Sequence, residues 1–330
     1  MITKLINNST NILVLAHNNL DLDAISSLLL TKEIIETHFE NKVVDIYTKE
    51  NLWPQFEKLE LSKLDTIKNL NKEGHIDFDK YELVFLVDIC EFGNRTADTP
   101  NNLEQVLSKT IIIDHHITKP KDKPILEINE ELTSASMQIY LSFKKAIGNK
   151  FKLTKEISQL TQLGIVGDSG RFMFDNVKPE TYLLMSELTK VHQSNLEYLE
   201  HLQSEISPDG LKVLGHIIQN TGYTNEFSYT YIDPAFIKEN NIKEEDVNSG
   251  YGKFKFMIMK SLNNTNWGFI VKEQTEEKGI WNISFRSKDT NIVKYAEMFN
   301  GGGHLYAAGG KIKAENAKEA IDKILAKILE

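Results

Sequence analysis

Short apolar runs alternate with longer amphipathic ones through the N-terminal half of the chain. "NILVLAH" (residues 11–17) reads as a buried strand, and "LDAISSLLLTKEIIETHF" (22–39) follows with helical spacing of Ile25, Leu28, Leu29 and Ile35. "KVVDIYT", "YELVFLVDI" and "KTIIIDH" are further strands, the last two apolar enough to be central. Strand–helix alternation with strands apolar on both faces predicts a mainly parallel, doubly wound α/β sheet covered by helices. "SASMQIYLSFKKAI" and "TKEISQLTQLGIVGD" supply later helices, and the chain stays helical from about Pro179 to Asn220, broken at "SEISPDG". Beyond that the pattern changes. "EFSYTYID", "KFKFMIMK", "WGFIVKE" and "GIWNISFRS" predict strands of a second, smaller sheet. "NIVKYAEMF", the glycine-rich "NGGGHLYAAGG" and the helix "AENAKEAIDKILAKIL" close the chain. The expected division is a domain at 1–190, a linker at 191–206 and a second domain at 207–330.

Composition narrows the picture. A chain of 330 residues is too long for one comfortable core. No stretch approaches the roughly 18 uninterrupted apolar residues of a membrane helix, and no convincing signal peptide opens the chain. A single cysteine, Cys90, excludes an intramolecular disulfide framework and favours a reducing, cytoplasmic setting. The net charge of −9 argues against long duplex nucleic acid as a partner. It leaves room for a small anion held through cations. Nothing in the sequence settles whether the chain forms a homo-oligomer.

The chemistry-bearing residues fall at strand ends. His17 follows the first strand, and Asp21 and Asp23 lead into the helix after it. Asp88 ends "YELVFLVD", Asp114-His115-His116 end "TIII", and Asp168 closes "GIVGD". An Asp at a helix start is usually a cap. In an open α/β sheet, however, the carboxyl ends of the strands share one crevice, so three strands aim acids and histidines at one place. Unpaired, so many carboxylates would raise each other's pKa values. Divalent cations resolve this, and oxygen and imidazole ligands without thiolates suit manganese, magnesium or a related metal.

His17-x-x-x-Asp21-x-Asp23, then Asp88, then Asp114-His115-His116, then Asp168 resembles the ordered motif set of the DHH phosphoesterase superfamily. "NISFRS" followed by "GGGHLYAAGG" is similar to the DHHA1 domain that accompanies one branch of it. Size and layout look most like the oligoribonuclease/pAp-phosphatase group known as NrnA. The resemblance implies a catalytic DHH domain and a smaller α/β DHHA1 domain with a mixed sheet, with a cleft between them. It implies two divalent metal ions, manganese first, with magnesium or cobalt as alternatives. One would be held by His17, Asp21 and Asp88, the other by Asp23, His115 and Asp168, with Asp88 bridging. A metal-activated hydroxide would attack phosphorus, His116 would hold the scissile phosphate or assist the leaving group, and Asp114 would orient a neighbouring histidine. Arg286 and Gly301, Gly302, Gly303 and His304 would grip the substrate's terminal phosphate. The substrates implied are short single-stranded oligonucleotides, dinucleotides such as pApA, or pAp. Leu20 and Ser26 stand where the family commonly has proline and glycine, and both bear on substrate fit.

Other assignments stay open at this level. An exopolyphosphatase or inorganic pyrophosphatase of the same superfamily would use a similar metal core, although the GGGH element weighs against the pyrophosphatase branch. A non-catalytic nucleotide-binding sensor would keep the fold and lose turnover. The glycine run reads equally well as a turn capping the preceding helix. His38, His75, His192, His201 and His216 lack chemical company, and Cys90 reads as a small buried residue.

Overall fold

The computed structural model describes residues 1–330 except 50, 51, 53, 60, 94, 117–119, 122, 195–204, 276 and 330. Contacts divide the chain into two units, Met1–Leu199 and Glu200–Glu330. Most of the expected linker at 191–206, with His201, lies outside the described residues.

The first unit is built on β1 (Asn11–Leu15), β2 (Val43–Thr48), β3 (Ile67–Asn69), β4 (Leu83–Val87), β5 (Thr110–Asp114) and β6 (Leu126–Asn129). All are parallel, in the order β3-β2-β1-β4-β5-β6. The order reverses beside β1, which places a switch point between β1 and β4. The helices are α1 (Ile2–Asn7), α2 (Leu22–His38), α3 (Pro54–Glu57), α4 (Leu70–Glu73), α5 (Leu103–Leu107), α6 (Ala135–Ile147), α7 (Lys155–Asp168) and α8 (Pro179–Thr189).

Alternating strand residues serve the two faces of this sheet. Leu13, Leu15, Val84, Leu86 and Ile112 pack with Leu70 of α4 and Val106 of α5. On the other face Phe85 stacks on Phe143 of α6 at 6.1 Å. Helix α2 is buried continuously from Asp23 to Ile35, well beyond the single apolar stripe that its spacing predicts. Its buried polar side chains are paired accordingly: the Ser27 and Ser136 hydroxyls lie 3.0 Å apart, and Thr31 Oγ1 donates to Ser27 O at 2.8 Å. The short strands β3 and β6 were not expected from the sequence. They are edge strands with no buried residue, so they carry no apolar signature.

The second unit carries β7 (Gly222–Tyr223), β8 (Phe227–Tyr231), β9 (Trp267–Glu273), β10 (Ile280–Ser287), β11 (Gly302–His304) and β12 (Ala307–Lys313). The order is β11-β12-β10-β9-β8-β7, mixed because β8 and β9 run parallel while the other pairs are antiparallel. Helices α9 (Pro208–Gln219), α10 (Pro234–Glu239), α11 (Glu244–Lys253), α12 (Val293–Glu297) and α13 (Ala317–Leu329) accompany it. One face packs Trp267, Phe269, Trp281, Ile283 and Phe285 against α12 and α13. The other packs Ile270 with α9, α11 and Met259.

One expected strand is corrected. "KFKFMIMK" does not pair. It continues α11 as a π-turn over Phe254–Ile258. Its alternation of apolar and basic residues mimics a strand, but burial falls on Phe254 and Met259, five positions apart, which a widened helical turn satisfies and a strand does not. The glycine-rich segment forms the β11–β12 hairpin and also caps the preceding helix, Gly301 N donating to Ala296 O at 3.0 Å. No described helix is long and apolar enough to cross a membrane.

Candidate active site

Four segments of the first unit meet at the carboxyl end of its sheet. The turn after β1 is pinned to the loop after β4: Asn18 N donates to Arg95 O at 2.5 Å, and its side-chain amide donates to Thr96 O at 3.1 Å. Asp21 is the N-cap of α2, its Oδ1 accepting from the amides of Asp23 and Ala24 at 3.0 Å each. Capping thus uses one oxygen, and Oδ2 faces His17 Nε2 at 3.9 Å. The cap and the ligand-type position coincide in one residue.

Asp88 stands directly after β4 with φ at +58°, a left-handed conformation that Asp tolerates better than most residues and that often marks functional positions. Its two oxygens face two imidazoles. Oδ2 lies 3.3 Å from His17 Nε2, and Oδ1 lies 3.5 Å from His115 Nε2. His115 Nε2 is also 3.0 Å from Asp168 Oδ2, yet it is buried without a hydrogen-bond partner. Three groups therefore offer donor atoms within 4.8 Å of one another: the triplets His17, Asp21 and Asp88, and Asp23, His115 and Asp168, and the quartet Asp88, Asp114, His115 and His116.

The imidazoles are held in one orientation. His17 Nδ1 lies 2.6 Å from Asn18 O, and His115 Nδ1 lies 3.2 Å from Leu132 O. A carbonyl only accepts, so Nδ1 carries the proton in both rings and Nε2 is turned to the carboxylates. Asp23 is fully buried at the start of α6, where Oδ2 accepts from Ala135 N at 2.6 Å and Oδ1 from Ser136 N at 3.0 Å. A helix N-terminus stabilises a carboxylate in this way. Asp114, also buried, accepts through Oδ1 from His115 N, from His116 N and, at 2.7 Å, from His116 Nδ1. Its Oδ2 has no partner among the described residues. His116 remains half-exposed.

The electrostatics follow from this crowding. Burial drives the Asp23 carboxyl well above its ordinary pKa, and Asp88 and Asp168 add to it. Burial and the Asp88 charge likewise raise Asp21. Burial would raise Asp88 too, but His115 and His17 reverse it and hold Asp88 at about 2. Burial alone would lower both imidazoles. Asp88 instead lifts His17 to about 9, and Asp168 with Asp88 lifts His115 to about 11. His116 is raised mainly by its bond to Asp114. Without a cation, protons fill its electrostatic role.

Small residues that motif reading missed make the convergence possible. A Cβ at Gly167 of α7 would lie 2.6 Å from Leu22 Cβ, so only glycine lets α7 close onto the start of α2 and carry Asp168 beside Asp23. Gly164 is tighter still against Asp23 and Ser136. The pair is visible in "GIVG" as small residues three positions apart, a spacing that places both on one helix face.

In the second unit Arg286 lies on β10, with Nη1 donating to Phe285 O at 2.7 Å and Nε buried without a partner. Gly301 is required by packing, since a Cβ would meet Gly309 O at 1.8 Å; Gly303 is required by its φ of +144°. Gly302 has open space where a Cβ would stand. The His304 side chain lies outside the described residues. His38 stacks on Phe151 and His216 on Phe236, as ordinary packing histidines. Cys90 is buried.

A parallel sheet that gathers carboxylates and imidazoles at its carboxyl edge, with donor atoms suited to divalent cations, defines an α/β protein with a candidate metal centre. Residues 11–165 match the DHH family, N-terminal domain, and residues 235–330 match the DHHA1 domain, and the chain belongs to this family. It is 26% identical over 301 residues to the bifunctional oligoribonuclease and PAP phosphatase NrnA of Bacillus subtilis strain 168, across 90% of this chain and 86% of that one. A probable enzyme of the same name from Streptococcus mutans serotype c is 26% identical over 329 residues, across 97% and 95%. An exopolyphosphatase-related protein from Bacteroides fragilis shares the fold, with a TM-score of 0.83 at 20% identity, covering 99% of this chain and 94% of that one.

Proposed function

We propose that the chain is a metal-dependent phosphoesterase that hydrolyses short oligonucleotides, dinucleotides such as pApA, and pAp. The observation that carries this is the placement of Asp88 between two imidazole Nε2 atoms, with Asp21 beside one and Asp168 beside the other. The names of the relatives from Bacillus subtilis and Streptococcus mutans support the substrate class.

The donor set fits divalent cations. His115 Nε2 is a buried nitrogen with no hydrogen-bond partner amid carboxylates, and no thiolate belongs to either triplet. His17, Asp21 and Asp88 would hold one ion, and Asp23, His115 and Asp168 a second, with Asp88 shared; manganese suits these ligands, as do magnesium and cobalt. When bound, such ions supply Lewis acidity to phosphoryl oxygens and lower the pKa of water. The chain does the rest. Asn18 O and Leu132 O orient the two imidazoles, and the first amides of α6 hold Asp23. Asp114 keeps the proton on His116 Nδ1, leaving the other ring nitrogen to donate to the leaving oxygen or to hold the phosphate. Arg286, Gly301, Gly302, Gly303 and His304 are assigned to the substrate's terminal phosphate on motif grounds. Long duplexes and membranes are not partners in this scheme, and the setting is cytoplasmic.

The test is release of mononucleotide or phosphate with manganese from 5′-phosphorylated short RNA, pApA, pAp, pyrophosphate and polyphosphate. Turnover of the nucleotides that disappears in Asp88→Asn is expected. Turnover confined to pyrophosphate or polyphosphate would overturn the nucleotide assignment, and binding without turnover would make the protein a sensor.

A further inference from the structure

The π-turn of the second unit builds a cationic surface that no motif marks. Phe254 and Met259 anchor it in the core, and the four residues between them include Phe256, 63% exposed. Lys255 Nζ lies 4.8 Å from the Tyr251 ring centre and 4.9 Å from that of Phe256. Arg286 Cζ lies 5.4 Å from the same Phe256 ring. Strand β10 supplies the floor: its alternation puts Ser284 and Arg286 on one face, and the Tyr251 hydroxyl bonds Ser284 Oγ at 2.7 Å.

Charge balance is what sets this place apart. Among the described residues, no carboxylate pairs with Lys255, Lys260 or Arg286, in a chain with 47 acidic and 38 basic residues. Neighbouring Lys272, by contrast, is engaged by Glu244 and Asn248. Burial and then Arg286 lower both lysines, Lys255 to about 8. Partly desolvated like charges held together cost free energy unless an anion joins them. Single-turn π-bulges occur often at functional sites for this kind of side-chain display.

We propose that Lys255, with Arg286, forms a subsite for the terminal phosphate monoester of a nucleotide, with Phe256 as the adjoining surface for its base. Two donors of positive charge suit a dianionic monoester better than a singly charged diester. An exposed aromatic ring beside a phosphate site takes a base by stacking, with little preference for which one. The nucleotide part of the assignment rests on the phosphoesterase reading; the phosphate part rests on this cluster.

The test is calorimetric binding of pApA and of ApA to the metal-free full chain, where no turnover occurs. Wild type is expected to bind pApA at least about tenfold more tightly than ApA, with inorganic phosphate competing, on the scale of one charge-assisted hydrogen bond. Lys255→Met, which keeps the stem packed on Tyr251, loses that preference, and Lys255→Arg retains it. A Lys255→Met variant that binds pApA like wild type at an unchanged thermal midpoint would overturn the subsite, whatever the turnover. So would equal affinity of wild type for pApA and ApA. Phosphate-dependent binding without pApA hydrolysis by the manganese-loaded protein would remove the proposed function and leave the subsite standing.

Discussion

Gly164 of α7 lies so close to Asp23 that a Cβ there would fall 2.4 Å from Asp23 Oδ1 and 2.2 Å from Ser136 Oγ. The same Oδ1 accepts from Ser136 N, so one added methyl group strikes both the carboxylate and the helix start that holds it. Gly164→Ala is expected to cost about 1–3 kcal/mol, as overpacking of a filled core does. It should also weaken metal binding by about 10–100-fold, the scale of a disturbed ligand support. Gly215→Ala, in α9 with no atom within 4 Å of its added Cβ, is the control, with a gain of up to about 1 kcal/mol. Thermal unfolding and manganese titration of the two variants check this, and equal behaviour would disprove the close-packing account.

Asp114 accepts from His116 Nδ1 and from the amides of both histidines after it. An amide at that position still accepts those bonds, so Asp114→Asn keeps the turn and removes only the charge. The bond to Asp114 is the main cause that raises His116. Its loss therefore lowers the His116 pKa, and the alkaline limb of kcat moves to lower pH if His116 acts as the proton donor. A fall of about 10–100-fold in kcat accompanies it. A pH–rate profile that drops without moving would place Asp114 in support of the fold alone.

The strand-end acids were legible because a polar triplet after three isoleucines has no packing reason to exist, and the parallel-sheet pattern says where strand ends meet. Asp21 shows the limit of that logic. Cap and ligand positions call for the same residue type, and one side chain here has the geometry for both. Gly164 and Gly167 were not legible as site residues, since nothing local reveals which helix will close on which. Lys255 and Phe256 were misread as strand because alternation over a few residues cannot exclude a helical turn anchored at positions five apart. Two members of the Gly301–Gly303 run answer to backbone packing and to φ, and only Gly302 lacks such a reason.

Metal loading must expel protons. In the metal-free protein His17, at about 9, and His115, at about 11, are both protonated at neutral pH. Coordination through Nε2 needs that nitrogen bare, so filling both sites at about pH 7 releases protons, at least one from each imidazole. Calorimetry in buffers of different ionisation enthalpy reads this number directly. The stability of the metal-free chain has a matching sign. Both pKa values lie above the unfolded value of 6.5, so the stabilisation is complete below it and fades as pH rises through about 9 and then about 11. Metal-independent proton counts, or a chelated protein equally stable at neutral and strongly alkaline pH, would contradict the arrangement.

Lys255 gives the second unit a pH dependence of the opposite origin. Burial first, then the charges of Arg286 and Lys272, lower it to about 8, while Tyr251, also facing it, is raised by burial. Above that pH the ammonium is lost, and with it one of the two cations available to a phosphate monoester. The phosphate itself is already dianionic above about 6. Affinity of the metal-free chain for pApA should therefore fall as pH rises from about 7 to about 9, by up to about tenfold for one lost charge-assisted bond. In Lys255→Met the affinity starts lower and stays flat over the same range. A wild-type profile as flat as the variant's, or a decline retained in the variant, would show that Lys255 does not meet the phosphate.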